Sequence, residues 1–421
     1  MAVNRGPSGT EWPANLDVDA LLATGWRPTP FREFVLKIHS RCDLACDYCY
    51  MYEMADQRWR DQPYRMSPEV VDRVAARIGE HVRAHDLTSI ELVLHGGEPL
   101  LAGPDLIAHA VRSVRRAAGP SVEVGVSVQT NGVRLGGYLD LFDALDVRVG
   151  VSIDGDVSAH DRHRRHANGR GSHAAVASAL DALGSARYRH LFGGLLCTVD
   201  VANPPVATYE ALLSHCPPKI DFLLPHGNWS APPPGRVPGS AATPYADWLI
   251  AVFDRWYGAP RQDTEIRLFG EIIQLLLGGT SSSEAVGLSP VGVVVIETDG
   301  SIEQSDMLKS AYEGASVTGL HVLRNSFDDT LALPSIAARQ MGELALSSEC
   351  RACGVRRVCG GGLYPHRYRA GDGFANPSVY CPDLFRLITH IRHEIASDLE
   401  GRRDIVSQKG GDEPPTASAV S

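Results

Sequence analysis

Between Phe34 and Leu224 the chain alternates short apolar runs with amphipathic stretches, and this alternation constrains its fold more than any other feature. Phe34-Val35-Leu36-Lys37-Ile38-His39 reads as a buried strand, as do Ile90 to His95, Val122 to Gln129, Val147 to Ile153, Leu191 to Val199 and Ile220 to Leu224. Ser67-Pro68-Glu69 reads as a helix start, with Ser67 as N-cap and apolar Val70, Val71, Val74 and Ile78 following at helical spacing. Further helical stretches fall near 104–118, 136–145, 172–186 and 205–215. About six strand–helix units in succession imply an α/β chain with a parallel sheet and right-handed crossovers. They suit a partial (β/α)6 barrel, in which strand C-termini carry the chemistry. Cys42, Gly96, Gln129 and Ser152 stand at those ends.

The 421 residues allow one large barrel plus an appendage. A net charge of −10 argues against general nucleic-acid binding, which needs a basic stripe. No apolar run is long enough to span a membrane, and the first residues lack a signal core, so a cytoplasmic protein is expected. Nine cysteines, an odd number, argue against a disulfide framework. Seven of them fall into two close-spaced groups, which read as metal or iron–sulfur ligands. Cys197 and Cys216 stand apart and read as inert.

Residues 1–30 are Pro/Gly-rich and read as an irregular lead-in, and 31–230 as the barrel. A Pro/Gly-rich break at 230–242 opens a helical bridging region, 231–285. There Trp248, Leu249, Val252, Phe253 and Trp256 form a stripe expected to face the core. Residues 286–400 form a cysteine-rich domain that begins with a hairpin, Val291 to Glu297 and Ser301 to Gln304 around Asp299-Gly300. The polar tail, 401–421, is expected to be disordered, and there are no internal repeats.

Cys42-Asp-Leu-Ala-Cys46-Asp-Tyr-Cys49 has the spacing C-x3-C-x2-C. Three thiolates so placed can ligate three irons of a [4Fe–4S] cube and leave the fourth open to a chelating ligand. The alternative is a zinc knuckle completed by His39, although zinc sites more often use C-x2-C pairs.

This motif, with Tyr48 before the third cysteine, resembles that of the radical S-adenosylmethionine (SAM) superfamily. Gly96-Gly97-Glu98-Pro99 is similar to the family's GGEP segment, which contacts the SAM amino group. Gln129-Thr130-Asn131-Gly132 and Val151-Ser152-Ile153-Asp154-Gly155 resemble further family segments. The resemblance implies that Ser152, with Asp154 second, lies near the ribose and that Tyr48 flanks the adenine. It implies that Arg164, in the basic run 161–166, pairs with the SAM carboxylate; the alternative for that run is a solvated loop. The chemistry it implies is reductive cleavage of SAM to a 5′-deoxyadenosyl radical, which needs an electron donor such as flavodoxin or ferredoxin.

Cys350-x2-Cys353-x5-Cys359, with Cys381 beyond, resembles a SPASM domain, the cysteine-rich extension of peptide-modifying members. The full pattern has seven cysteines and two auxiliary clusters. Here Ser305 stands at one cysteine position, and Gly360-Gly361-Gly362-Leu363 brings no thiol at another. The four remaining cysteines therefore imply one auxiliary [4Fe–4S] cluster, against the alternative of a four-cysteine zinc site. Asp306 stands where related enzymes place an acid that takes a proton.

The run from Phe34 to Glu53, its continuation Met54-Ala55-Asp56-Gln57-Arg58-Trp59, Asp221 to Pro225 and Asp247-Trp248-Leu249 resemble FxsB-like peptide maturases. That resemblance implies a ribosomally made precursor peptide as substrate and a cyclophane as product, in which an aromatic ring is joined to a neighbour's β-carbon. With about 30 residues ahead of the barrel, recognition of the peptide is expected on the barrel, on 230–340 or on a partner. A thioether, formylglycine or epimerised product, or a non-catalytic peptide-binding protein, shares the same fold signals.

Overall fold

The computed structural model describes residues 12–237 and 239–409, with side chains as far as Glu400. Ten strands form a single sheet: β1 (Glu33–His39), β2 (Ser89–Gly96), β3 (Glu123–Thr130), β4 (Arg148–Ser152), β5 (Phe192–Thr198), β6 (Lys219–Leu223), β7 (Glu265–Ile266), β8 (Val293–Ile296), β9 (Ser301–Glu303) and β10 (Val317–His321). Their order is β10-β9-β8-β1-β2-β3-β4-β5-β6-β7. From β8 through β1 to β7 every pairing is parallel; β8, β9 and β10 pair antiparallel.

The six expected strands are all present, in chain order and parallel, because each apolar run is buried and each is followed by a crossover long enough to return. The helix Pro68–Ala84 begins as its sequence dictates: Ser67 accepts a hydrogen bond from the Val70 N–H, and Pro68 takes the first turn. Val71, Val74 and Ile78 are buried in the main core, while Val70 lies at its edge. The stripe from Trp248 to Trp256 on the helix Pro244–Tyr257 is likewise buried.

Three features differ from expectation. The lead-in contains a helix, Val18–Ala23, capped by Asp17. The basic run 161–166, for which a solvated loop was the alternative, begins inside a helix, Val157–His163. The tail does not begin at 401, because the helix Cys381–Lys409 runs past it; residues 410–421 of the expected disordered tail lie outside the described residues. The expected hairpin is present as β8 and β9, and its first strand, Val-Val-Val-Ile, lies beside β1. The barrel sheet thus continues into the cysteine-rich region.

The two halves meet along the segment that follows β6. Asn228 Nδ2 donates to the Ser310 carbonyl at 3.1 Å, and the Trp229 N–H to that of Tyr368 at 3.0 Å. Trp229 Nε1 donates to the Pro377 carbonyl at 2.7 Å, and the Tyr380 hydroxyl to that of Pro225 at 2.7 Å. Asp383 Oδ1 accepts the N–H groups of Tyr245 and Ala246, so one helix caps the start of another.

Asn228 is fully buried, and its Oδ1 also accepts from Ser230 and Ala231. Replacing it with alanine strands buried polar groups on both sides of this seam. Asn228→Ala is expected to cost about 2–3 kcal/mol, read as a lower urea midpoint at unchanged slope.

Candidate active site

The loop that carries Cys42, Cys46 and Cys49 leaves the end of β1 and is pinned from two sides. On one side the Gly97 N–H donates to the His39 carbonyl at 2.8 Å and the Glu98 N–H to that of Arg41 at 2.9 Å. A β-carbon on Gly97 would lie 2.5 Å from the Arg41 carbonyl oxygen and would overlap the Tyr52 hydroxyl. Gly96 is equally crowded by His39. The glycine pair is therefore dictated by the backbone of the cysteine loop. On the other side the Ala45 N–H donates to the Arg165 carbonyl at 2.7 Å, and His166 Nδ1 lies 3.0 Å from the Asp43 carbonyl. The basic run thus clamps the cysteine loop.

Glu98 is fully buried and joins two strand ends. Its Oε1 accepts from the Leu100 N–H and the Thr130 hydroxyl, its Oε2 from the Asn131 N–H at 2.8 Å. Burial pushes its carboxyl up to about 7 against the pull of these donors. A carboxylate has about four acceptor positions; three are taken, which leaves one on Oε2 for a further donor. Asn131 Nδ2 donates to Asp43 Oδ1 at 2.8 Å and lies 3.6 Å from Cys42 Sγ. At the next strand end Gln129 Nε2 donates to Ser152 Oγ at 2.9 Å.

Tyr48, Asp154 and Arg164 come together as one buried group. Arg164 Nε donates to Asp154 Oδ2 at 2.8 Å, the Tyr48 hydroxyl donates to the same oxygen, and the guanidinium sits 5.5 Å from the Tyr48 ring centroid. Asp154 Oδ1 accepts the Thr198 N–H at 3.0 Å. Burial alone would raise the Asp154 carboxyl; Arg164 beside it holds it below its usual range. Asp154 is thereby committed to Arg164, Tyr48 and Thr198. The outer nitrogens of Arg164 carry no hydrogen bond to protein among the described residues.

Asp306 anchors a second group, largely unseen in the sequence. Lys37, an interruption in the apolar β1, is buried and donates from Nζ to Asp306 Oδ2 at 2.8 Å. The Tyr50 hydroxyl donates to the same oxygen at 2.9 Å, and His95 Nδ1 lies 3.8 Å away. Lys37 and His95 are register partners across β1 and β2, so both face Asp306 from adjacent strands. Burial would raise the Asp306 carboxyl, but Lys37 and His95 hold it far below the ordinary carboxylate range. Beside the resemblance that pointed to Asp306, the lone lysine within an apolar strand is the sequence signal for this group.

The cysteines suit an extended cluster better than a single zinc ion. Among the described residues, the ligand group whose donor atoms all lie within 4.8 Å of one another is His81, His85 and Asp328, and neither cysteine set forms such a group. Zinc at about 2.3 Å from each sulfur needs that closeness; an iron–sulfur cube does not. His39 Nδ1 is instead taken up 3.0 Å from the Arg41 carbonyl. In the second set Cys381 opens the long C-terminal helix, and Cys350 and Cys353 stand within its electrostatic reach. Burial pushes the Cys46 and Cys381 thiols up to about 11 and Cys359 to about 12, so these sulfurs become thiolates on binding metal. The donor sets fit two iron–sulfur clusters, Cys42, Cys46 and Cys49 for one and Cys350, Cys353, Cys359 and Cys381 for the other.

Removing Lys37 would leave the Asp306 charge buried without its main partner. Lys37→Met is expected to cost about 3–5 kcal/mol, and Lys37→Met/Asp306→Asn distinctly less than the two single losses combined. Urea denaturation of the four proteins closes this double-mutant cycle.

Residues 36–200 match the radical SAM superfamily. The serine-type anaerobic sulfatase-maturating enzyme of Klebsiella aerogenes is 25% identical over 357 residues, 82% of each chain. The cysteine-type enzyme of Clostridium perfringens is 23% identical over 370 residues, 84% of this chain and 94% of its own. In structure, anSMEcpe with bound AdoMet and the Cp18Cys peptide superposes with a TM-score of 0.72 at 19% identity, covering 88% of this chain and 100% of that one. SuiB of Streptococcus suis, bound to its precursor peptide SuiA, gives 0.53 at 12% identity, covering 86% and 78%. Among the described residues no helix is long and apolar enough to cross a membrane. The cysteine loop, Gly96 to Glu98 and the strand ends around them all lie within the stretch that matches the radical SAM superfamily.

Proposed function

We propose that this chain is a peptide maturase that oxidises a side chain at its β-carbon, converting a serine or cysteine of a protein substrate to formylglycine. The observation that carries the reading is Asp306: an ionised carboxylate, oriented by Lys37 and Tyr50, next to the residue that follows Cys49. Sulfatase-maturating relatives match along more than four-fifths of the chain, which favours this product over the cyclophane.

When bound, the cluster at Cys42, Cys46 and Cys49 and its SAM supply a radical able to remove hydrogen from an unactivated carbon. The rest falls to the chain's own residues. The outer nitrogens of Arg164 face the SAM carboxylate, while Asp154 and Tyr48 keep the guanidinium in place. The remaining acceptor position of Glu98 and the Ser152 hydroxyl serve the amino group and the ribose, and Tyr48 borders the adenine. Gly96 and Gly97 let the cysteine loop seat close enough for this arrangement to form. Asn131 and Gln129 hold neighbouring groups in register. Asp306 accepts the proton that leaves the substrate hydroxyl or thiol once its β-carbon has lost hydrogen. The accompanying electron leaves to the second cysteine set. Serine yields the aldehyde directly; cysteine yields a thioaldehyde, which water converts to the aldehyde with release of hydrogen sulfide. A flavodoxin or ferredoxin would supply the priming electron.

Cyclophane formation in a precursor peptide is the second reading. It is favoured by Ser305 and by the thiol-free run Gly360 to Leu363, which depart from the seven-cysteine pattern, and by the FxsB-like run from Phe34 to Glu53.

Incubation with serine- and cysteine-containing sulfatase peptides, and with a short peptide that carries aromatic residues, tests both. The control is Cys42→Ala/Cys46→Ala/Cys49→Ala. An aldehyde captured by a hydrazide on the sulfatase peptides, absent with the control, is the expected result. Loss of two hydrogens without an aldehyde, placed by fragmentation between an aromatic residue and its neighbour, moves the assignment to the cyclophane. No SAM cleavage under anaerobic reducing conditions overturns both.

A further inference from the structure

Two imidazoles between the barrel and the cysteine-rich region lack hydrogen bonds. His226 Nδ1 and His366 Nε2 are buried with no partner among the described residues. A buried polar atom left unpaired is costly and calls for an explanation. An apolar side chain of similar size would fill either place at less cost. What the two rings do have is each other, with centroids 5.7 Å apart at 63°.

The contacts extend in both directions. His226 lies 4.6 Å from the ring of Tyr50, the residue after Cys49. His366 lies 5.0 Å from the ring of Tyr380, the residue before Cys381. Four rings in series thus join the backbone neighbours of one cysteine set to those of the other. The two end rings are held at their hydroxyls, Tyr50 by Asp306 and Tyr380 by the Pro225 carbonyl, and the backbone of His366 is held where its carbonyl accepts the Val379 N–H at 2.9 Å. Burial keeps both imidazoles neutral, His226 pulled down to about 4 and His366 well below its ordinary value. No charge needs to move for the rings to stay packed.

The series runs where this chain departs from the seven-cysteine pattern. Ser305 is buried without a thiol, and after Leu363 the chain enters a small aromatic core in which Tyr364 stacks on Phe374 at 4.6 Å. From Tyr50 through His226 and His366 to Tyr380 each ring touches the next. Electron tunnelling weakens steeply with distance and is faster through packed, bonded atoms than across gaps.

We propose that Tyr50, His226, His366 and Tyr380 form the electron route between the Cys42/Cys46/Cys49 site and the Cys350/Cys353/Cys359/Cys381 site. The proposal rests on the reading that both sets hold [4Fe–4S] clusters. In turnover one electron leaves the oxidised substrate carbon as its proton goes to Asp306. It passes along the rings and reduces the auxiliary cluster from its 2+ to its 1+ state. The same route carries an electron back when the catalytic site is the acceptor, and this return needs no peptide.

The test uses the full chain loaded with iron and sulfide, reduced with dithionite, freed of excess reductant and mixed with SAM. Freeze-quenched electron paramagnetic resonance follows each reduced cluster, and 5′-deoxyadenosine is counted per chain. In the wild type both signals are expected to decay, with about two 5′-deoxyadenosines formed. In His226→Leu and His366→Leu, at wild-type iron content, the auxiliary signal is expected to persist about tenfold longer and the yield to fall to about one. His226→Phe and His366→Phe, which restore a ring, are expected to return the wild-type decay. Equal decay in the leucine variants overturns the route, as does slow decay in the phenylalanine variants, which would assign the effect to packing. Failure of the wild type to cleave SAM would instead overturn the functional reading.

Discussion

The structure depends on how closely the Gly96-Gly97-Glu98 turn approaches the cysteine loop. Two backbone hydrogen bonds, from Gly97 to His39 and from Glu98 to Arg41, continue the β1–β2 pairing past the last paired residues. This places three thiols at a sheet edge without regular structure of their own. Loops of this kind are usually mobile; here the partners on both flanks are backbone groups, which cannot swing away. The cost is a steric demand that only glycine meets at 96 and 97. Glu98 then transmits the position to β3 through Thr130 and Asn131, and Asn131 reaches back to Asp43 inside the cysteine loop. The circuit closes on itself, so a displaced member strains the rest.

Much of this was legible in the sequence, and the reasons differ from element to element. The six parallel strands were readable because a strand buried on both faces is a continuous apolar run between turn signals, as in Val147 to Ile153. The cysteine loop was readable because its spacing is a local requirement, and the glycines beside it because they resemble a family segment. β7 was not readable, since two residues carry no period. Nor was the pairing of β8 with β1, because the partners are remote in sequence and neither run specifies its neighbour. The Asp306 group is remote in the same sense: Lys37, Tyr50 and His95 come from the first quarter of the chain. Only the lysine inside β1 hinted that a charge waited for it. His226 and His366 carry no motif, and their meaning comes from their ring neighbours.

The pairing of β8 with β1 explains why Asp306 can reach the barrel at all. The β8–β9 hairpin is built onto the barrel's first strand, and Asp306 follows three residues after β9. A domain joined only by a linker would leave that carboxylate free to drift. Here its position relative to Cys49 is fixed through a continuous ladder: β9 to β8, β8 to β1, and β1 into the cysteine loop. Lys309 strengthens the joint from below, buried between Glu297 and Glu303. Of the two acids, Glu297 is held below its ordinary range, while burial and its neighbour push Glu303 up to about 7. One lysine between two buried carboxyls lowers the proton affinity of the first while the two acids raise each other's.

Such a joint divides the work between the two halves of the molecule. The barrel supplies the strand ends that hold Cys42, Cys46, Cys49 and the residues around them. The appended region supplies the acid and the second cysteine set. In the proposed reaction hydrogen removal creates a reactive carbon, and the proton acceptor and the electron acceptor would have to be in place when it forms. A rigid sheet shared by both halves meets that condition without a closing motion. It also explains why the seam after β6 is so heavily hydrogen-bonded, from Pro225 through Asn228 and Trp229. That segment and the β8–β1 pairing fix the appended region at two separated places, which prevents it from pivoting about either one.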